Sequence, residues 1–238
     1  MLGEGQLEEA EKDSRRPAVE LDGISRVFQE GEESRSILEG LDFQADRGQF
    51  VAIGGPSGSG KSTLLNIVAG LDAPDVGTVR INGENLTAMD AGDRTLLRRR
   101  HIGLVFQFFN LVPTLTVAEN LKLPLVLNKI PVDHDAIDDL MREFDLYPRR
   151  NDFPETLSGG EQQRVAVIRA AVHTPAVILA DEPTGNLDRE RGEQVIELLR
   201  TLAGRNTCVI MVTHSRRAAS HAHRRLLVSE GKLSPWDW

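Results

Sequence analysis

A five-residue apolar run, Phe50-Val51-Ala52-Ile53-Gly54, leads directly into Gly55-Pro56-Ser57-Gly58-Ser59-Gly60-Lys61-Ser62 and then Thr63-Leu64-Leu65-Asn66-Ile67-Val68. This order of residues constrains the chain more than any other. A short continuous apolar run reads as a buried strand. Leu64, Leu65, Ile67 and Val68 give the next segment helical character, and Gly70 stops it. The glycines of the joint let backbone N–H groups turn toward a single anion, and Lys61 adds a cation that reaches outward. Ser62 offers a hydroxyl at a helix start, where the dipole is positive. Strand, loop and helix together suit a phosphate chain with Mg2+, the ion touching Ser62. Residues Gly55, Pro56, Ser57, Gly58, Ser59, Gly60, Lys61, Ser62 and Thr63 are therefore candidate nucleotide-binding residues.

The rest of the chain suits an α/β architecture. Further strands are predicted at Val19-Glu20-Leu21, 77–83, 101–106, 176–180, 207–213 and 225–229, with a turn at 31–34. Helix alternates with strand in the second half, and residues 190–202 form one such helix, which implies a mostly parallel sheet. The pattern from Pro113 to Arg164 is helical. Within it, Ile137, Leu140, Met141 and Phe144 fall on one helix face. A helical subdomain inserted at about 94–164 is the expectation. Residues 1–17 are acidic and poor in large apolar groups, so they read as a disordered tail, leaving 18–238 as one domain.

Composition removes several function classes. The net charge is −8 with no long basic run, which speaks against nucleic acid as the main partner. The longest apolar stretch, 165–180, is interrupted by Arg169, His173 and Pro175, so no direct insertion into a bilayer is expected. The N-terminus lacks the apolar centre of a signal peptide. The single cysteine, Cys208, lies in the apolar run 208–212 and reads as a buried thiol in a reducing compartment. His221 and His223 have no third ligand nearby in sequence and read as surface residues.

Two further motifs carry chemistry. Val177-Ile178-Leu179-Ala180 ends in Asp181-Glu182. Asp181 is placed to hold Mg2+, largely through its water shell, and Glu182 to take a proton from an attacking water. Leu157-Ser158-Gly159-Gly160-Glu161-Gln162-Gln163-Arg164 opens a helix, and Ser158, Gly159 and Gly160 offer a hydroxyl and free N–H groups to an anion. Alone, Ser158 is an ordinary N-cap. A chain with one phosphate loop has no second phosphate to place there, which hints at a dimer whose motif caps the nucleotide of the other copy.

These motifs, in this order over residues 18–233, resemble the ATP-binding cassette (ABC) ATPases. The resemblance implies a P-loop NTPase fold of the ABC type, with a small antiparallel β layer and the helical insert. It implies that Gln107 reaches the γ-phosphate through Mg2+ and water, and that His214 orients the catalytic water beside Glu182. Gly185-Asn186-Leu187-Asp188 is the loop that crosses the dimer interface, with Asp188 acting in trans beside Ser158, Gly159 and Gly160. Phe28 stands where the family has an adenine-stacking aromatic, usually Tyr; stacking needs only a π face. Metal contacts fall to Ser62, Gln107 and Asp181, and the cofactors are ATP and Mg2+.

The stretches 106–113, 158–164 and 183–188 resemble one branch in particular. It holds the lipoprotein-releasing, macrolide-export, antimicrobial-peptide and cell-division ABC ATPases. Departures are Ser215 where an acid is usual after the histidine, Val167-Ile168 for Ile-Ala, and the ending Pro235-Trp236-Asp237-Trp238. The expected function is an ATP-hydrolysing subunit that pairs with a second copy around two ATP. It would drive an integral-membrane permease from a cytoplasmic, peripheral position on the inner face of the membrane. The rival is a regulatory ABC motor acting on an extracytoplasmic hydrolase or sensor without cargo. A soluble ABC ATPase of DNA repair or translation would carry coiled-coil, zinc or tandem-cassette insertions. Phe108, Phe109, Leu111, Val112 and Leu115 form either a groove for a partner helix or part of the helical core.

Overall fold

The computed structural model describes residues 16–30 and 33–237. Of the predicted 1–17 tail, only Arg16 and Pro17 fall inside that range. The strands are β1 (Val19–Glu30), β2 (Glu33–Ala45), β3 (Phe50–Gly54), β4 (Val76–Ile81), β5 (Glu84–Asn85), β6 (Ile102–Val105), β7 (Val177–Asp181), β8 (Cys208–Val212), β9 (Arg224–Ser229) and β10 (Lys232–Pro235). The helices are α1 (Lys61–Val68), α2 (Ala91–His101), α3 (Val117–Leu127), α4 (His134–Glu143), α5 (Gly159–Ala171), α6 (Arg189–Gly204) and α7 (Arg216–Ala219).

Two sheets result. One has the order β10-β9-β3-β8-β7-β6, parallel throughout except for β10. The other is antiparallel with the order β2-β1-β4-β5. The central strands of the first are apolar on both faces because each face has its own cover. Val51, Ile53, Leu179, Ile210 and Val212 join the antiparallel sheet and α1 in one core, with Leu64, Leu65, Ile67 and Val68 supplied by the helix. Phe50, Ala52, Ile178, Ala180, Val209 and Met211 point the other way, into α3, α5 and α6. Each buried Leu, Ile or Val contributes about 1.5–3 kcal/mol of transfer energy, so α1 is fastened beneath the loop that precedes it.

The segment 94–164 contains one strand, where 101–106 is expected to form one. β6 lies inside it and is the edge strand of the parallel sheet. The strand-free stretch begins after Val105, and prolines and polar caps divide it. Thr116 opens α3 with a reciprocal capping box to Glu119, and Asp133 caps α4. Pro131, Pro148 and Pro154 mark the joints, and 147–149 and 154–156 are single 3₁₀ turns. Residues 106–116 form no regular element. Their backbone is tied down by buried Asn120, which donates to the carbonyls of Val112, Leu115 and Thr116, and by Arg169, which donates to those of Phe109 and Asn110.

The end of β10 turns back over β3. Trp236 is 9% exposed and donates its backbone N–H to the Arg225 carbonyl at 3.1 Å. Its ring lies on Gly54, where an added Cβ would fall 2.4 Å from Trp236 Cζ3. Gly54 therefore admits no side chain while the tryptophan keeps its place.

Candidate active site

The carboxyl ends of β3, β8 and β7 lie side by side, the usual edge for a ligand in a parallel sheet. From β3 comes the loop 55–60. Gly60 has φ +97°, and a Cβ there would lie 2.8 Å from Ile37 Cγ2, so β2 presses against the loop. The first helical hydrogen bond runs from Leu64 N–H to the Gly60 carbonyl at 2.8 Å, which leaves the N–H groups of Lys61, Ser62 and Thr63 without a helical acceptor. Lys61 Nζ folds back over the loop and donates to the carbonyls of Gly55 at 2.9 Å and Pro56 at 2.7 Å. The Ser59 hydroxyl is buried with no partner among the described residues. Free N–H groups, an unpartnered hydroxyl and a poised cation suit a phosphate chain.

Asp181 closes β7. Burial pushes its carboxyl above the ordinary carboxylate range; repulsion by Glu182 adds to this, while the Ser62 hydroxyl and Lys61 act against it. Adjacent hydroxyl and carboxylate oxygens suit a hard divalent cation that takes its other oxygens from phosphate and water.

Glu182 is the first residue past the strand and has φ +45°, a left-handed conformation rare for a residue with a side chain. It is held from β8. Its N–H donates to the Val212 carbonyl at 3.0 Å, and its Oε1 accepts the His214 N–H at 3.0 Å and lies 2.8 Å from His214 Nδ1. The His214 side chain is 74% exposed. A carboxylate and an imidazole thus stand together beside the phosphate loop, a pair able to hold and move a proton. Ser215 caps α7, accepting the Ala218 N–H, so the residue after the histidine serves the local turn.

Gln107 follows β6. Its Nε2 donates to Asn186 Oδ1 at 3.3 Å, and Asn186 Nδ2 donates to the Gln107 carbonyl at 3.1 Å. The loops after β6 and β7 are therefore joined. Asp188 caps α6 by accepting the Arg191 N–H at 3.0 Å. Phe28 lies on the exposed β1–β2 hairpin, 43% exposed.

Ser158 opens α5 against the loop that follows β7, where a Cβ on Gly159 would lie 3.6 Å from Leu187 Cδ2, and no hydrogen bond among the described residues links 158–160 to the phosphate loop. Its hydroxyl donates to Glu161 Oε2 at 2.7 Å, and its N–H donates to the same oxygen at 2.8 Å. Arg149 Nε holds Glu161 Oε1 at 3.2 Å. Burial works against the charge on Glu161, but the Ser158 bonds and Arg149 outweigh it and hold the carboxyl below its usual range. Ser158 shares an open polar groove with Gly160, Arg164, Asp188 and Arg191.

The structure therefore brings together 55–63, Gln107, Asp181, Glu182 and His214, with Phe28 on a neighbouring hairpin and Ser158–Gly160 against the loop after β7. Sequence reasoning missed Glu161 as the partner of Ser158, although Ser-x-x-Glu before a helix is a capping-box spacing. It also missed Asn186 as the anchor of Gln107, since 79 residues separate the two.

The sequence profile of the ABC transporter family matches residues 38–185, more than half of the chain. The chain belongs to the ABC transporter family. An uncharacterised ABC transporter ATP-binding protein of Mycobacterium tuberculosis strain H37Rv is 47% identical over 227 residues, covering 93% of this chain and 91% of that protein. The macrolide export ATP-binding/permease protein MacB of Azoarcus sp. is 42% identical over 219 residues. This chain spans 33% of that protein's length. A dimeric ATP-binding cassette bound to ADP and phosphate superposes with a TM-score of 0.81 at 36% identity, over 92% of this chain and 99% of the other. The fold is thus that of an ABC cassette, and the chain is an ATP-binding, ATP-hydrolysing ABC ATPase domain.

Proposed function

We propose that two copies of this ABC ATPase enclose two ATP molecules, and that closing and opening of the pair drives an integral-membrane permease. The observation that carries this reading is the Glu182–His214 pair beside Lys61, Ser62 and Asp181. In each site one copy holds the phosphates through the N–H groups of 55–63 and Lys61, and stacks Phe28 on adenine. Mg2+ held by Ser62, Asp181 and Gln107 would supply charge neutralisation at the outer phosphates. Glu182 accepts the proton of the attacking water, and His214, already on Glu182 Oε1, orients that water. Ser158, Gly159, Gly160 and Asp188 of the second copy close the site.

A permease partner is supported by the ATP-binding/permease naming of the MacB relatives and by one apolar face. Phe108 is 72% exposed and Leu127 48%. Leu127 lines a groove with Leu104 and Leu123, edged by Arg98 and Arg169. Among the described residues no helix is long and apolar enough to cross a membrane, so contact through such a groove gives a peripheral location on the inner face.

The test is Glu182→Gln. It retains ATP binding and loses turnover by roughly 10²–10⁴, the scale of a general base. Gel filtration with ATP then shows a dimer where the parent runs as a monomer. Turnover at the parental rate would remove Glu182 from the proposed chemistry.

A further inference from the structure

Arg26 and Phe28 are alternate residues of β1, and Arg26 Cζ lies 5.1 Å from the centre of the Phe28 ring. The guanidinium is fixed at both edges. Nη1 donates to Asp75 Oδ1 at 2.9 Å and Nη2 to Asp72 Oδ1 at 3.0 Å. Asp75 uses its other oxygen to accept the Val27 N–H at 2.7 Å, and its own N–H donates to the Ser25 carbonyl at 2.9 Å. The Val27 N–H and Arg26 hold the Asp75 carboxyl below its usual range. Asp72 and Asp75 lie in the segment that leaves the far end of α1, the helix whose near end is the phosphate loop.

An exposed aromatic on a hairpin turns freely unless something fixes it. Here a planar cation lies over the ring, and Phe28 as a residue keeps 43% exposure. The guanidinium charge attracts the face it covers, and the exposure that Phe28 retains leaves area for a flat partner. Lysine cannot reproduce this contact, because it has no planar fork to span two carboxylates while lying on a ring.

We infer that Arg26 is a positioning residue for nucleotide-base recognition: clamped by Asp72 and Asp75, it backs Phe28 so that the opposite face of the ring receives a purine. The same clamp ties this platform to α1, so the distance between base site and phosphate site is set by one rigid unit. The inference rests on the proposal that Phe28 stacks on adenine.

The experiment uses the full chain and four variants: Phe28→Ala, Arg26→Gln, the double variant and Arg26→Lys. Calorimetry measures affinity for Mg·ADP and for Mg·pyrophosphate, which shares the phosphates and lacks the base. Phe28→Ala and Arg26→Gln each weaken Mg·ADP by about two- to fivefold, the range for a partly exposed cation–π contact. Pyrophosphate affinity stays unchanged, the double variant binds no worse than Phe28→Ala, and Arg26→Lys loses about as much ADP affinity as Arg26→Gln. If Phe28→Ala weakens Mg·ADP and Arg26→Gln does not, the inference fails and the Phe28 reading stands. If Phe28→Ala has no effect, both fail. Equal loss of ADP and pyrophosphate, or a loss that adds to that of Phe28→Ala, marks Arg26 as general support and also overturns the inference. Should Arg26→Gln not fold, Arg26→Lys decides on the same ratio of ADP to pyrophosphate affinity.

Discussion

The starts of α1 and α5 are the same kind of structure used in opposite ways. α1 begins after Gly60, which offers no side-chain cap, and its first turn holds no acid. α5 begins at Ser158 with a full capping box, and Glu161 fills its first turn. One helix end therefore leaves its N–H groups open to an external anion, with Lys61 already held above them. The other has taken an anion from its own chain, and Arg149 keeps it in place. On the proposed reading, the difference teaches that the loop at 55–60 is open to phosphate in a single copy, whereas the second helix start would have to release an internal partner before a phosphate could take the Ser158 hydroxyl. A cap of this kind is worth about 1 kcal/mol, so the two helix ends differ in readiness by a measurable amount.

The strongest test acts on the open end. Lys61→Ala removes the cation of the phosphate loop, and loss of charge-assisted bonds to phosphate weakens ATP·Mg2+ binding by about 100-fold or more. Calorimetry that finds affinity within a few-fold of the parent would end the assignment of α1 as the phosphate end. A second test asks whether α5 serves the other copy. Ser158→Arg and Lys61→Ala chains are each nearly inactive alone, because both sites of either homodimer are damaged. In the mixed dimer one site carries both defects and the other is intact, so mixing restores ATPase activity or, where turnover needs two closed sites, ATP trapping. If mixed dimers form and neither appears, Ser158 is only the cap of its own helix. The smallest effect belongs to Glu161→Ala. Losing this half of the box lowers the melting temperature by about 2–4 °C for a chain of this length. It frees the Ser158 hydroxyl, so the ATP-dependent dimer of Glu182→Gln tightens by a few-fold, read by sedimentation. An unchanged dimer would show that Glu161 does not compete with the partner's phosphate.

Much of this was legible along the chain because it is local. The strand, loop and helix at 50–68 are one continuous signal, and the acids at 181–182 sit at the end of an apolar strand. What escaped was decided by chain crossings. The Asp72 and Asp75 clamp on Arg26 spans 46 and 49 residues, and no periodicity reports it. The span 113–164 read as helix because its apolar spacing is helical, but Pro131, Pro148 and Pro154 and the caps at Thr116 and Asp133 divide it. Phe108 and Phe109 could not be sorted in advance, since their exposure depends on how Arg169 and Asn120 bind the backbone around them. The structure leaves Phe108 mostly exposed and brings Phe109 near Gly159. Cys208 is buried as its apolar setting implies, with the thiol pushed up to about 12 by burial. His223 serves the fold, its Nδ1 accepting the Phe50 N–H at 2.9 Å.

The contact of Trp236 with Gly54 has an optical consequence. The chain contains two tryptophans, and this one lies against the residue that immediately precedes the phosphate loop. Any displacement of the loop on taking up phosphate would pass through Gly54 to the surface of the indole, whose emission follows the polarity and packing of its surroundings. With Trp238 replaced by phenylalanine, a single tryptophan remains, excited apart from Tyr147 at long wavelength and seated at the root of the loop, so that its emission would follow the filling of the site without any added dye.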